Sequence, residues 1–145
     1  PRYKCVDRLH FQLTKMEALD AGYDDVIWLD HDGHIAEGPA SNIFVVKGGV
    51  LLTPAVGVLQ GITRQTFIEL ALRAGIEVRE SNLSPFDLFC ADEIFTTSTA
   101  GGALAIREVA GRPTTVQAPG PVTRQLDALY WKMREDGEYC TKICE

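Results

Sequence analysis

EGPASNIFVVKGGVLLTPAVGVLQGITR, residues 37–64, places a strand pair between two chemical devices. Asn42 to Val46 and Val50 to Thr53 read as the arms of a hairpin turned at Gly48-Gly49. The first device precedes the hairpin. Glu37 stands at the edge of an apolar run, Val26-Ile27-Trp28-Leu29 and then Ile35-Ala36, where a carboxylate is partly desolvated and keeps its charge poorly without a cationic partner. The second device follows the hairpin. Gly61-Ile62-Thr63-Arg64 opens a segment in which Phe67, Ile68, Ala71 and Leu72 recur at helical spacing, with Gly75 as its stop.

Gly61 allows a close backbone turn, and the first amides of the helix then face outward with the positive end of the helix dipole behind them. That arrangement suits a phosphate. A carboxylate and a phosphate cradle on one scaffold match a cofactor with a basic ring nitrogen at one end and a phosphate at the other. Pyridoxal 5'-phosphate has both. The plainer alternatives are a turn carboxylate at a strand end and an ordinary helix start at the surface.

Outward from this stretch, Arg8 to Ala21 reads as a helix with Leu9, Leu13 and Met16 on one face and Gly22 as its stop. Val26 to Leu29 reads as a buried strand, Asp30-His31-Asp32-Gly33 as a turn, and Ile35-Ala36 as the returning strand that delivers Glu37. Ile76 to Arg79 reads as a short strand. Ser84-Pro85-Phe86-Asp87 has the cap, early proline and acid of a helix start. Asp92 to Thr97 is a strand leading into Ser98-Thr99-Ala100-Gly101-Gly102. Ala103 to Val109 is another, Ala110-Gly111-Arg112-Pro113 a turn, and Thr123 to Arg134 a helix with Leu126, Leu129, Tyr130 and Met133 inward. No repeat or low-complexity linker interrupts residues 1–145, so the expectation is one α+β (mixed α/β) domain of sheet and peripheral helices.

The chain is 46% hydrophobic and 23% charged, enough to bury one substantial core. A formal net charge of -6 without a Lys or Arg run argues against a nucleic-acid partner. No apolar run has transmembrane length, and no basic-then-apolar leader is present, so no membrane partner and a cytoplasmic location are expected. Cys5, Cys90, Cys140 and Cys144 lack the density of a disulfide scaffold and are read as reduced. His31 and His34 flank a turn without further ligands at useful spacing, so no metal is expected.

Glu37-Gly38, Asn42-Ile43-Phe44, Leu52-Thr53-Pro54 and Gly57-Val58-Leu59-Gln60-Gly61-Ile62-Thr63-Arg64, in that order, resemble the class IV (fold type IV) pyridoxal-phosphate enzymes. This group includes branched-chain and D-amino acid aminotransferases, (R)-selective amine transaminases and aminodeoxychorismate lyases. The resemblance covers nearly the whole chain and implies the family's large C-terminal domain, with a sheet- or barrel-like core. It also implies an interval from the Schiff-base lysine to the Glu-Gly motif like that from Lys4 to Glu37. Taken alone, Lys4 would be a solvated surface residue. By resemblance it is the amine that binds the cofactor aldehyde and moves the proton at the substrate's alpha carbon. Glu37 pairs with the pyridine nitrogen, Leu59 packs on the ring, and Gly61, Ile62, Thr63 and Thr99 hold the phosphate. Thr99 and Ala100 also receive the substrate's acid group.

The family's N-terminal domain, ahead of the lysine, has no counterpart in these residues, so the chain reads as a fragment with little activity alone. Asp7-Arg8-Leu9 stands where many branched-chain enzymes carry a tyrosine, and Arg8 is closer to the lyases. The short Thr53 to Gly61 loop and the Thr99 to Gly102 stretch look most like (R)-selective amine transaminases. The expected activity is amino transfer between an amino acid or amine and a keto acid, by a homodimer. The alternatives are an aminodeoxychorismate-type lyase and a catalytically silent fragment.

Overall fold

A computed structural model describes residues 9–139 and Thr141. Lys4, Cys5, Cys140 and Cys144 lie outside the described residues. The elements run α1 (Leu9–Asp20), β1 (Glu37–Gly38), β2 (Ser41–Lys47), β3 (Val50–Pro54), α2 (Ile62–Arg73), β4 (Val78–Ser81), α3 (Pro85–Phe89), β5 (Glu93–Ser98), β6 (Gly102–Ile106), β7 (Glu108–Val109), β8 (Arg112–Pro113) and α4 (Pro121–Glu135). The fold is α+β, as the residue pattern predicts.

The strand β2 is central because its sequence can be buried on both faces. Asn42 to Val46 are all buried, and β-branched and aromatic side chains fit that pleated environment. It pairs antiparallel with β3 across the Gly48-Gly49 turn, where both glycines have positive φ, and antiparallel with β5 on its other edge. The helix α2 then carries the chain across to β4, which lies parallel to β3. The sheet order is β4-β3-β2-β5-β6, with β1 beside the start of β2. Its ends, β4 and β6, do not pair with each other, so the described strands form an open sheet and not a closed barrel.

One face of the sheet packs Phe44, Val46, Leu51 and Phe95 against Phe67, Ile68 and Ala71 of α2 and Leu126 and Tyr130 of α4. Phe44 and Phe95 stack with ring centroids 5.2 Å apart. The other face packs Ile43, Val45 and Ile94 against Ile35, Leu83, Leu88 and Ala91. Each such side chain contributes about 1.5–3 kcal/mol on burial, which makes this two-sided core the main stabilising element.

Two elements differ from the reading of the sequence. Val26 to Leu29 and Ile35-Ala36 form only an isolated bridge, Leu29 to Ile35, extended by Trp28 N–H to Glu37 C=O at 2.9 Å and Ala36 N–H to Trp28 C=O at 2.8 Å. They still deliver Glu37, because Asp30 Oδ1 accepts the Asp32 and His34 amides at 2.9 Å and so closes the turn between them. The His34 amide, foremost, holds the Asp30 carboxyl below its ordinary pKa. The stretch Ala103 to Val109 is two strands broken at Arg107, and Val109 turns back through Ala110 (φ 50°) and Gly111 (φ 75°) into β8. The helix α1 forms as read, with Leu9, Leu13 and Met16 exposed and no residue of the helix buried.

Candidate active site

The site begins with Glu37, which β1 places beside the first residues of β2. Its side chain is buried, with 8% of the residue surface exposed. Oε2 accepts the Leu59 amide at 3.0 Å and the Asn42 Nδ2 at 3.4 Å. Among the described residues its partners are thus two neutral donors and no cation. Both bonds fall on one oxygen, so Oε1 retains its capacity to accept a donor.

The loop between β3 and α2 returns to this carboxylate through Leu59. Its amide binds Glu37, and its carbonyl accepts Asn42 Nδ2 at 2.8 Å. The backbone of Leu59 is therefore fixed while its side chain remains half-buried. Gly61 follows with φ -68° and ψ 139°, an ordinary extended conformation. Its requirement for glycine is steric, because an added Cβ would lie 2.3 Å from Asn42 Oδ1.

The start of α2 has no side-chain cap. Its first-turn amides lack intrahelical acceptors by geometry, and the dipole favours an anion there. Thr63 is buried, and its hydroxyl lies 3.1 Å from that of Thr99. This contact joins the helix start to the loop after β5. Ile62 projects its side chain outward and is 87% exposed, so its expected contribution is its backbone amide.

Thr99 and Ala100 are exposed in a loop that α4 holds from behind. The Thr99 carbonyl accepts Arg134 Nη1 at 3.0 Å and the Tyr130 hydroxyl at 3.4 Å. Asp127 Oδ1 accepts the Ala103 amide at 2.9 Å and Trp131 Nε1 at 3.1 Å. Gly102 (φ 61°) completes the turn, where any Cβ would meet Asp127 and Trp131.

The structure thus brings Glu37, Leu59 and Gly61 together around Asn42, and Thr63 together with Thr99, with Ala100 next in the same loop. Lys4 cannot be placed among them, since it lies outside the described residues.

Several contributors escaped the sequence reading because they act across long separations. Arg64 is 1% exposed and donates to Gln60 Oε1 at 2.8 Å, Pro54 C=O at 2.9 Å and Glu80 Oε2 at 2.6 Å, tying the first turn of α2 to β3 and β4. Glu93, also buried, accepts the Val122 and Thr123 amides and the Thr123 hydroxyl, so β5 caps α4. Only the Gly120-Pro121 start of α4 carried a local signal of such a boundary.

These features fit a flat ring with a phosphate. A buried carboxylate with one oxygen free of donors among the described residues stands near an uncapped helix start lined by two hydroxyls, and small residues leave the backbone approachable. The wider comparisons agree. The sequence profile of the family described as amino-transferase class IV matches residues 1–109. The chain is 39% identical over 126 residues to a branched-chain-amino-acid aminotransferase of Pseudomonas aeruginosa, covering 86% of this chain and 41% of the relative. It is 42% identical over 121 residues to that of Escherichia coli K12, covering 82% and 39% respectively. The crystal structure of a branched-chain amino acid aminotransferase from Thermobaculum terrenum in its PLP-form superposes with a TM-score of 0.89 at 36% identity, covering 92% of this chain and 45% of that one. The chain spans less than half the length of these relatives. By the profile match and the shared fold, the chain belongs to the class IV aminotransferase family.

Proposed function

We propose that residues 1–145 form the cofactor-binding domain of a pyridoxal-phosphate-dependent aminotransferase of branched-chain type. Amino groups would pass between an amino acid or amine and a keto acid. The observation that carries the reading is the joint of Glu37, Asn42 and Leu59, which connects a buried carboxylate to the uncapped start of α2.

When bound, the cofactor supplies an aldehyde that condenses with amines and a ring that accepts electrons as the alpha C–H bond breaks. Glu37 would hold the cofactor at its pyridine end and keep a proton at the ring nitrogen. The Ile62 and Thr63 amides, with the Thr63 and Thr99 hydroxyls, bind the phosphate. Gly61 lets the helix start sit close to Asn42, and Leu59 offers its half-buried side chain to the ring. Thr99 and Ala100 orient the substrate's acid group through a loop whose rear is held by α4. Lys4 would hold the cofactor at its aldehyde end and would move the proton at the substrate's alpha carbon. A homodimer belongs to the reading, and so does a cytoplasmic location. No helix among the described residues is long and apolar enough to cross a membrane.

The test is a half-reaction. Protein dialysed free of cofactor is titrated with pyridoxal phosphate and then given single amino donors without an acceptor. The expected result is saturable uptake, with release of the donor's keto acid in an amount no greater than the bound cofactor. Absence of uptake would contradict the reading. Pyruvate released catalytically from aminodeoxychorismate, with no acceptor present, would assign a lyase instead.

A further inference from the structure

We propose that Asn42 is a positioning residue that sets the carboxylate end of this site against its phosphate end. It stands on β2 with Glu37 as its partner on β1 and Thr97 as its partner on β5. Its carboxamide has two working ends. Nδ2 donates to the Leu59 carbonyl at 2.8 Å and reaches Glu37 Oε2 at 3.4 Å, while the Leu59 amide donates to that same oxygen at 3.0 Å. Carboxylate, carboxamide and the backbone N–H and C=O of one residue thereby close a ring of hydrogen bonds. Oδ1, at the other end, occupies the space that a Cβ on Gly61 would need.

The consequence is mechanical. Glu37 cannot rotate away from Leu59, and the start of α2 cannot move closer to the sheet, without disturbing the same side chain. Asn42 is 7% exposed, so water is poorly placed to substitute for the lost donor. Pyridoxal phosphate has a fixed separation between ring nitrogen and phosphate, so a shift at either end weakens its binding even when each half remains intact. The inference rests on the cofactor reading above, and its test separates the two.

Asn42→Ala is compared with the natural chain and with Ile43→Val, which trims the opposite core on the same strand. Amide hydrogen exchange is first measured without cofactor. The Leu59 amide should exchange roughly tenfold faster in Asn42→Ala, relative to the Phe95 ladder amide, and be unchanged on that ratio in Ile43→Val. Affinities are then measured for pyridoxal phosphate and for inorganic phosphate, which needs only the helix start. Asn42→Ala should weaken pyridoxal phosphate by roughly tenfold or more and inorganic phosphate by less than about twofold, whereas Ile43→Val should leave their ratio unchanged. An unchanged Leu59 ratio, or equal losses for both ligands, would overturn the positioning role. If the natural chain takes up no pyridoxal phosphate, the functional reading fails, and the exchange measurement still decides whether Asn42 holds Leu59.

Discussion

The helices α1 and α2 are both 12 residues long, yet α2 buries six residues and α1 buries none among those described. The difference lies in what each faces. The strands β2 and β5 present Phe44 and Phe95 to α2, and Phe67 fills the space between them and Tyr130. Among the described residues α1 meets the bridged arm, with Phe11 stacked on Trp28 at 4.3 Å and Lys15 paired with Asp25 at 3.0 Å. A helix fixed by a core can hold ligand-binding amides in place. By contrast, Leu13, Met16 and Leu19 of α1 are exposed.

The sharpest way to break this contrast is Phe67→Ala, which should cost about 3–5 kcal/mol in denaturant unfolding because it opens a cavity among three aromatic rings. A loss below about 1 kcal/mol would mean that α2 is not anchored as described. The next effect is smaller and local. Asp127→Ala strands the Ala103 amide and should cost about 1–3 kcal/mol. Faster hydrogen exchange confined to residues 99–103 would show that α4 steadies the Thr99 loop.

A third, pH-dependent effect concerns α3. The Asp87 carboxylate accepts the Ser84 amide at 2.9 Å and the Ser84 hydroxyl at 2.7 Å, and the amide chiefly lowers its pKa. A folded-state pKa depressed below 3.8 means that the unfolded chain binds the proton more readily. This contribution is therefore complete above the unfolded value and disappears as pH falls through the folded one. Acid unfolding of Asp87→Asn should lack that component, and an unaltered acid limb would remove Asp87 from the account. The smallest effect is expected at α1, where Leu13→Ser should change stability by no more than about 0.5 kcal/mol. A larger loss would show that its apolar face is covered in solution.

Local chemistry made the hairpin and α2 legible. Gly48-Gly49 permits the left-handed turn, and the Phe67, Ile68 and Ala71 spacing marks the buried side of the helix. The Ser84 to Asp87 signature was equally readable, because both partners stand within one turn. What remained hidden depends on chain segments meeting in space. Glu93 caps a helix 29 residues later, Arg64 binds Glu80 across a strand pair, and the break at Arg107 follows from the turn into β8. The site shows the same division. Glu37 and the Gly61 helix start carry local signals, whereas the roles of Asn42 and Asp127 appear only when loops return to the sheet. Assignment of Lys4 rests on the motif series alone.

The most direct test is therefore intact mass of the protein after pyridoxal phosphate and borohydride treatment, with Lys4→Ala in parallel. The account predicts a single reduced adduct on the natural chain that is absent from Lys4→Ala. No adduct, or one that survives the substitution, would contradict the assignment of this site and its lysine.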